Sequence, residues 1–151
     1  MKIIVVKVGK PATKEVPTLV NEYIKRCKTF GPIESLEVKD LNSIPRSHWT
    51  GKGKPFCGPG EKLIALDERG SHWTSKTLAA NITKWTDDPG TKTLYFLIGG
   101  PYGLDDEMRS AATHLWSLSD LTLQGDLAWL VTWEQVYRAF TINKGMPYHH
   151  E

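Results

Sequence analysis

Three glycines, Gly99, Gly100 and Gly103, follow an apolar run in the second half of the chain. Glycine has no Cβ, so it tolerates positive φ angles and lets another molecule approach the main chain closely. The apolar run, residues 93–98, has the length and aromatic content of a buried strand. Because ligands of open α/β sheets bind beyond the carboxyl ends of the strands, this spacing predicts a ligand loop. A plain turn is the alternative, since glycine clusters are common in turns.

The glycine loop differs from the familiar phosphate-binding loops. No Lys-Ser or Lys-Thr pair follows it, as a P-loop requires, and its glycine spacing does not fit the dinucleotide fingerprint. A second segment of interest, residues 116–123, alternates serine and threonine with leucine shortly before the last predicted helix. These two segments are the first candidates for a binding site.

The elements that would position these segments alternate along the chain. The hydrophobic pattern predicts strand, helix, strand, linker, strand, helix, strand, helix, short strand, helix and tail. This alternation indicates an α/β fold. We expect strands over residues 1–8, 33–38, 62–67 and 93–98, and helices over 16–27, 75–88, 106–115 and 127–140. A turn is expected at residues 68–70, with Ser75 and either Asp105 or Asp106 as helix caps.

Length and composition favour one domain over residues 1–151. The net charge of +2 excludes an overwhelming basic field, so any site for a polyanion must be local. No segment has the length of a membrane span, and the chain begins with a strand-like segment instead of a signal peptide, which predicts a cytoplasmic protein. Cys27 and Cys57 lack metal-ligand spacing, so we expect reduced thiols and no metal.

The predicted linker, residues 40–60, is rich in proline and glycine and carries basic and aromatic side chains. Two interpretations stay open for it. Its side chains could contact phosphates and stack on RNA bases, or the segment could be an exposed, solvated loop. The residues concerned are Arg46, Trp49, Lys52 and Lys54.

Four segments occur in an order that resembles a known family: residues 97–104, 116–123, 134–139 and 147–149. Together they resemble the RlmH family, SPOUT-class methyltransferases that modify a pseudouridine at N3 in large-subunit ribosomal RNA. The resemblance extends over the whole chain by order and length. It implies a doubly wound, mostly parallel sheet with a C-terminal trefoil knot, an exception to the usual absence of knots. It also implies a homodimer that acts on ribosomal RNA in the ribosome.

The resemblance further implies that S-adenosyl-L-methionine binds in a bent conformation within the knot. An adenine ring needs apolar walls and exposed main-chain donors and acceptors, which glycine loops and leucine-lined turns provide. The methyl group is already activated by the sulfonium charge, so the protein mainly aligns donor and acceptor. The implied cofactor residues are Leu66, Gly99, Gly100, Gly103, Leu118, Ser119, Asp120, Leu121, Thr122 and Leu123.

Three residues near the C-terminus match family positions that act on the target base: Arg138, Tyr148 and His149. We interpret them as target-positioning residues, with His149 as proton acceptor because its reference pKa is near neutrality. Each has a structural alternative. Arg138 could pair only with Glu134 one helical turn earlier, and tail histidines are often disordered.

Two positions depart from the family pattern, which commonly has His and Arg where this chain has Gly125 and Trp129. Glycine has no side chain and an indole has one donor without positive charge, so the substrate side is altered while the cofactor residues remain. A retargeted or catalytically impaired homologue is therefore the alternative function. A flavodoxin-like binding or signalling domain is a third hypothesis, because fold alone does not determine function.

The six tryptophans suggest that a partner covers some of the aromatic surface. We expect Trp116, Trp129 and Trp133 near the interface of the homodimer, because the last helix packs against its twin in this family. Tryptophan is enriched at protein interfaces, and core packing is the alternative.

Overall fold

The computed structural model describes residues 1–44, 55–100 and 103–150. These residues form a central sheet with helices on both faces. The elements, in chain order, are β1 (Lys2–Val8), α1 (Glu15–Cys27), β2 (Ile33–Val38), a short 3₁₀ helix (Leu41–Ser43), β3 (Glu61–His72), α2 (Ser75–Asp87), β4 (Thr93–Ile98), α3 (Asp106–Ala111), β5 (His114–Ser117) and α4 (Gly125–Asn143).

The sheet has five strands in the order β2-β1-β4-β3-β5, and each of these neighbouring pairs is parallel. Strands that helices cover on both faces are apolar along most of their length, as β1 and β4 are. The α/β class and the parallel sheet confirm the predicted fold class. The trefoil knot, which concerns how the chain is threaded, stays a prediction.

The two faces of the sheet carry separate cores. Helices α1, α2 and α4 cover the face with Ile3, Val5 and Phe96, and α3 packs on the opposite face beside Val6 and Leu97. Because parallel strands end on the same side of a sheet, the loops that follow β1, β3, β4 and β5 all lie at one edge. The helices on both faces hold these strands in place.

The expectation that three tryptophans lie at a subunit interface is wrong. Trp116, Trp129 and Trp133 are only 3%, 2% and 0% exposed within one chain. Trp129 and Trp133 lie one turn apart on α4, on the side that packs against the sheet core. The aromatic area that they would bury against a partner is therefore already buried inside the protomer.

The turn predicted at residues 68–70 is also wrong, because β3 continues to His72. An irregularity between Leu66 and Ser71 allows both residues to pair with Trp116 of β5. A bulge of this kind bends the strand and interrupts its ladder. A Cβ at Gly70 would lie only 2.5 Å from the carbonyl carbon of Leu115, so glycine permits this close strand approach.

Two helix boundaries differ from the sequence interpretation. The helix after the glycine loop ends at Ala111 instead of 115, because the following residues pair with β3. Thr74, not Ser75, caps α2 and accepts a hydrogen bond from the Thr77 amide at 3.1 Å. Asp105 caps α3 in the same way, with a 2.8 Å bond from the Met108 amide.

Of the predicted linker, the structure describes residues 40–44 and 55–60. Phe56 is buried there, and its ring centroid lies 4.3 Å from that of Tyr95. No helix in the described ranges is both long and apolar enough to span a membrane. The candidate RNA-contacting residues of the linker lie outside the described residues: Arg46, Trp49, Lys52 and Lys54.

Candidate functional site

A cleft of about 720 Å³ opens beyond the carboxyl ends of β1, β3, β4 and β5. This is the edge of the sheet at which ligands bind in open α/β folds. Its walls come from four parts of the chain: residues 7–12 after β1, residues 66–69 of β3, the glycine loop after β4, and residues 116–128. The volume is in the range of small-molecule sites.

The glycines of the loop serve different purposes. Gly103 has φ of +72°, which favours glycine, and its amide donates to the Gly100 carbonyl at 2.8 Å. Gly99 is required for space, because a Cβ there would lie 3.0 Å from the Gly103 carbonyl carbon. A Cβ at Gly100 would meet only ordinary contacts, the nearest at 3.5 Å from Val8. Of these three glycines, only Gly103 adopts a positive φ angle.

The opposite wall is the segment between β5 and α4, which has no helix or strand. Its conformation is set by side-chain hydrogen bonds: Ser117 Oγ donates to the Ser119 carbonyl at 3.0 Å, and Ser119 Oγ accepts from the Leu121 amide at 3.0 Å. Leu121 is 71% exposed. Peptide groups that no sheet ladder uses, next to leucine side chains, suit an adenine ring.

The structure brings together at the cleft nine of the ten residues expected to hold the cofactor, all of which are described. The other one, Asp120, is exposed and its Oδ1 lies 2.8 Å from His72 Nε2, away from the lining. The nine residues that line the cleft are Leu66, Gly99, Gly100, Gly103, Leu118, Ser119, Leu121, Thr122 and Leu123.

A buried ion pair that the sequence interpretation missed lies on the floor of the cleft. Lys7 Nζ is 3.8 Å from Asp126 Oδ1, and both side chains are almost completely buried. Asp126 also accepts hydrogen bonds from the Ala12 amide and from the amide and hydroxyl of Thr13, at 2.9 to 3.1 Å. Burial raises the pKa of Asp126, but these hydrogen bonds and the Lys7 charge outweigh it and lower the pKa below its ordinary value.

One sequence signal could have indicated this pair. Lys7 lies in the apolar run of β1, in register with Ile98 of the equally apolar β4. A charge there needs a partner, because isolated buried charges are very unfavourable. Its partner lies more than a hundred residues away, so only the fold identifies it.

A second ion pair fixes the wall of the cleft beside α3. Arg109 Nε donates to Asp67 at 2.6 Å, and its NH1 group donates to Asp106 at 2.9 Å. Burial raises the pKa of Asp67, but hydrogen bonds from Arg109 and from the Arg69 amide lower it overall. The pair ties β3 to α3 next to the glycine loop.

The three residues predicted to act on the target base lie together, but away from the cleft. Arg138 donates to Glu134 Oε1 from Nε at 3.0 Å and from NH2 at 2.5 Å. The Tyr148 hydroxyl donates to the same oxygen at 3.0 Å, and Arg138 NH1 contacts His149 Nδ1 at 3.1 Å. We call these four residues, Glu134, Arg138, Tyr148 and His149, the tail cluster; none of them lines the cleft.

Aromatic contacts hold the tail cluster against α1 and α4. The Tyr148 ring lies edge-on to Tyr137 at 4.7 Å, and the Arg138 guanidinium lies 4.8 Å from the Tyr148 ring centroid. Burial, and then hydrogen bonds with Tyr23 and Glu134, raise the pKa of Tyr148. The hydrogen bond with Glu134 raises the pKa of Arg138. The predicted pairing of Arg138 with Glu134 is confirmed, and the tail packs on the protein.

The two departures from the family pattern lie beside Lys7. Gly125 begins α4 and lines the cleft, and a Cβ there would be 3.7 Å from Lys7 Nζ. The Trp129 ring is buried, with Lys7 Nζ 5.9 Å from its centroid. The positive charge on the floor of the cleft therefore comes from Lys7 of β1 and not from position 125 or 129 of α4.

Comparisons with known proteins agree on one family. A model described as Predicted SPOUT methyltransferase matches residues 1–149. The chain is 37% identical over 155 residues to Ribosomal RNA large subunit methyltransferase H of Geobacter sp. strain M21, and 38% identical over 152 residues to the protein of that name from Polynucleobacter asymbioticus; both matches cover 100% of each chain. A probable methyltransferase from Bordetella pertussis has a similar fold, with a TM-score of 0.52 at 11% identity over 92% of this chain and 93% of that one.

Proposed function

The chain belongs to the RlmH family of SPOUT methyltransferases, and from this premise we propose that it transfers a methyl group from S-adenosyl-L-methionine to N3 of a pseudouridine in large-subunit ribosomal RNA. The names of the full-length relatives support the class of RNA. The observation that carries the proposal is the cleft, which is lined by the glycine loop and by the leucine-rich segment before α4 at the ligand-binding edge of the sheet.

The residues of the cleft fit the proposed cofactor. Gly99 and Gly103 contribute main chain without side chains to one wall, and the leucines of residues 118–123 supply apolar surface on the other. The adenine edge would bond to peptide groups of residues 118–123, which no strand uses. Asp120 would contribute through its backbone, because its carboxylate is paired with His72.

The protein's own part in the reaction is to align two molecules and to move one proton. When bound, S-adenosyl-L-methionine supplies a methyl group activated by the sulfonium charge: the new N3–C bond forms as the C–S bond breaks, and its electrons stay on sulfur. Alignment of this kind can contribute a large part of the rate enhancement. The N3 proton must go to a base, so a proton acceptor is needed near the target.

We assign that acceptor to His149. Arginine only donates, so His149 Nδ1 is the acceptor in the 3.1 Å contact with Arg138. The N3–H group of a substrate would replace Arg138 as the donor to Nδ1. Arg138 would position the target through its charge, and Tyr148 through its hydroxyl. Glu134 orients both groups in the protein without substrate.

The distance of the tail cluster from the cleft supports a homodimer. Within one chain, no member of the cluster lines the cleft. Leu127 and Val131 lie one turn apart on α4 and are 46% and 36% exposed, an apolar stripe that leads toward Glu134 and Arg138. We propose that this stripe packs against its copy in a second protomer, which brings the tail cluster of one chain to the cleft of the other.

The proposed activity is tested with ribosomes that lack the modification. Purified protein and cofactor with a labelled methyl group should transfer the label to large-subunit RNA, and mapping should place it on N3 of a pseudouridine. If the protein binds S-adenosylhomocysteine normally but transfers nothing to these ribosomes, the proposed substrate is wrong.

A retargeted homologue is the second candidate, and the burial of Trp129 favours it. An arginine in that position would be a buried charge, so the substrate side cannot be returned to the family pattern by one substitution. Incubation with total cellular RNA and sequencing of the labelled product distinguishes the two. A label on any other nucleotide supports retargeting, whereas a label on the ribosomal pseudouridine excludes it.

A further inference from the structure

The ammonium group of Lys7 lies on the floor of the cleft, and the neighbouring acceptors do not use all of its hydrogen-bond donors. Lys7 is 3% exposed, and its Nζ donates to the Gly9 carbonyl at 3.3 Å. Among the described residues, this carbonyl is its only hydrogen-bond acceptor. An ammonium has three donors, so donors remain for a ligand.

The nearby carboxylate neutralises this charge without using those donors. Asp126 lies 3.8 Å from Nζ, beyond hydrogen-bond distance, while Ala12 and Thr13 donate to its oxygens at 2.9 to 3.1 Å. The carboxylate therefore holds the loop after β1 directly and the ammonium at a distance. This arrangement offsets the cost of burying Lys7 and leaves its N–H groups available.

The neighbouring residues keep the space in front of Lys7 open. A Cβ at Gly125 would be 3.7 Å from Nζ, so any longer side chain there would fill the approach to the ammonium. On another side, the Trp129 ring is 5.9 Å from Nζ, within the distance at which a ring face attracts a cation. Lys7 and Gly125 both line the cleft, so the positive charge of Lys7 lies at its floor with no side chain at position 125 beside it.

We propose that Lys7 is a catalytic residue whose ammonium binds a carbonyl oxygen of the target pyrimidine and stabilises the negative charge that the ring gains when N3 loses its proton. This inference rests on the proposed function. The N3 proton goes to the tail histidine, the N3 electron pair forms the bond to the methyl carbon, and the electrons of the C–S bond stay on sulfur. Lys7 neither gains nor loses a proton, and its positive charge is fixed before the reaction begins.

The kinetic test compares Lys7→Met with Lys2→Met, a lysine at the opposite end of the same strand that pairs with Glu34 at 2.6 Å. We expect kcat for methyl transfer to fall by about 10²–10³ in Lys7→Met, the cost of removing one such donor. The dissociation constant for S-adenosylhomocysteine should stay within twofold in both variants. A kcat within threefold of the native value would overturn the proposal. Weaker binding of S-adenosylhomocysteine in Lys7→Met would do so too, because it would assign Lys7 to the cofactor carboxylate.

A pH profile separates this role from a structural one. Without the ammonium the target imide is a weaker acid, so the rate of Lys7→Met should keep rising at pH values where the native rate has levelled off. The charged groups near Lys7 among the described residues are the same in both proteins: Asp126 on α4, Glu37 in register on β2, and the cleft-lining Lys10, Asp67, Glu68, Arg69 and Arg109. Superimposable profiles would contradict the proposal. If Lys7→Met unfolds, Lys7→Met with Asp126→Asn removes both buried charges and serves as the variant.

A binding measurement tests Lys7 without methyl transfer. The probe is 6-azauridine, a pyrimidine nucleoside whose N3–H ionises near neutral pH, added to protein saturated with S-adenosylhomocysteine. For the native protein and for Lys2→Met, we expect the affinity for 6-azauridine to rise at least tenfold when the probe ionises. For Lys7→Met we expect no such rise. If this difference holds while no RNA is methylated, the proposed function fails and the role of Lys7 stands. If RNA is methylated but the probe binds all three proteins alike, only the Lys7 inference fails.

Discussion

The cleft is lined by a glycine loop and a leucine-rich irregular segment, whereas the tail cluster is a network of polar side chains. The cleft walls are a glycine loop and an irregular segment held by Ser117 and Ser119. In the tail cluster, one guanidinium and one hydroxyl meet at the same oxygen of Glu134. The cleft is complete within one chain, and the tail cluster lies outside it. The comparison teaches that the proposed cofactor site and the proposed base lie in separate regions of one chain, so our proposal needs a second protomer to join them.

The largest effect is expected from closing the cleft. Gly99→Val should weaken binding of S-adenosylhomocysteine by 100-fold or more, because its Cβ alone would lie 3.0 Å from the Gly103 backbone and 3.2 Å from Leu104. Gly100→Ala is the milder change in the same loop: its Cβ would make only an ordinary contact at 3.5 Å, so we expect a much smaller loss of affinity. Calorimetry on both variants, with thermal unfolding to confirm folding, gives the result. Equal affinities would mean that the loop does not contact the cofactor.

Separating the two proposed protomers should lower the rate of methyl transfer but not the affinity for the cofactor product. Leu127→Asp places a charge on the exposed stripe of α4, so we expect a monomer in light scattering and a methyl-transfer rate at least 100-fold lower. Binding of S-adenosylhomocysteine should stay within threefold, because the cleft belongs to one chain. Lys84→Asp, on exposed α2, is the control and should remain dimeric. A fully active monomer would contradict the composite site.

Removing the proposed base should lower the rate without changing the cleft. His149→Ala should reduce kcat by about 10², the lower end for loss of a general base. The neighbouring His150 is exposed, and His150→Ala should retain native activity. Single-turnover kinetics measures both, with calorimetry to show an unchanged dissociation constant for S-adenosylhomocysteine. Equal rates for the two variants would remove His149 from the mechanism.

Breaking the Lys7–Asp126 ion pair on the floor of the cleft should change the free energy of unfolding and leave the tail cluster unchanged. Asp126→Asn should lower the free energy of unfolding by about 3 kcal/mol at pH 7, because it leaves Lys7 buried without its counter-charge. The pKa of Asp126 is lower in the folded protein, so its stabilisation is present above the unfolded pKa of about 3.9 and is lost as pH falls through the folded value. Denaturant unfolding should therefore show a smaller difference near pH 3 than at pH 7. A constant difference would mean that this carboxylate is not the cause.

Local patterns predicted the parts of the molecule that depend on local sequence. The apolar runs at residues 33–38 and 93–98 are β2 and β4 with the same boundaries, and the alternation of elements gave the α/β class. The end of β3 could not be predicted, because the pairing of Ser71 with Trp116 stabilises a strand where Gly70 suggests a turn.

The candidate site was predictable to the same extent. Glycines after a strand and a leucine-rich segment marked both walls of the cleft, since each is a local pattern. The Lys7–Asp126 pair was missed because its two residues are joined only by the fold. The three tail residues were found together, but their distance from the cleft depends on tertiary packing that no motif encodes.

A crystal structure of the protein in complex with S-adenosylhomocysteine tests the central claim most directly. We expect the adenosine to lie in the cleft, with its adenine against the main chain of residues 118–123 and its other side against Gly99. Density for the nucleoside at any other place, with the cleft filled by the protein's own side chains, would contradict the assignment of this cleft to the cofactor.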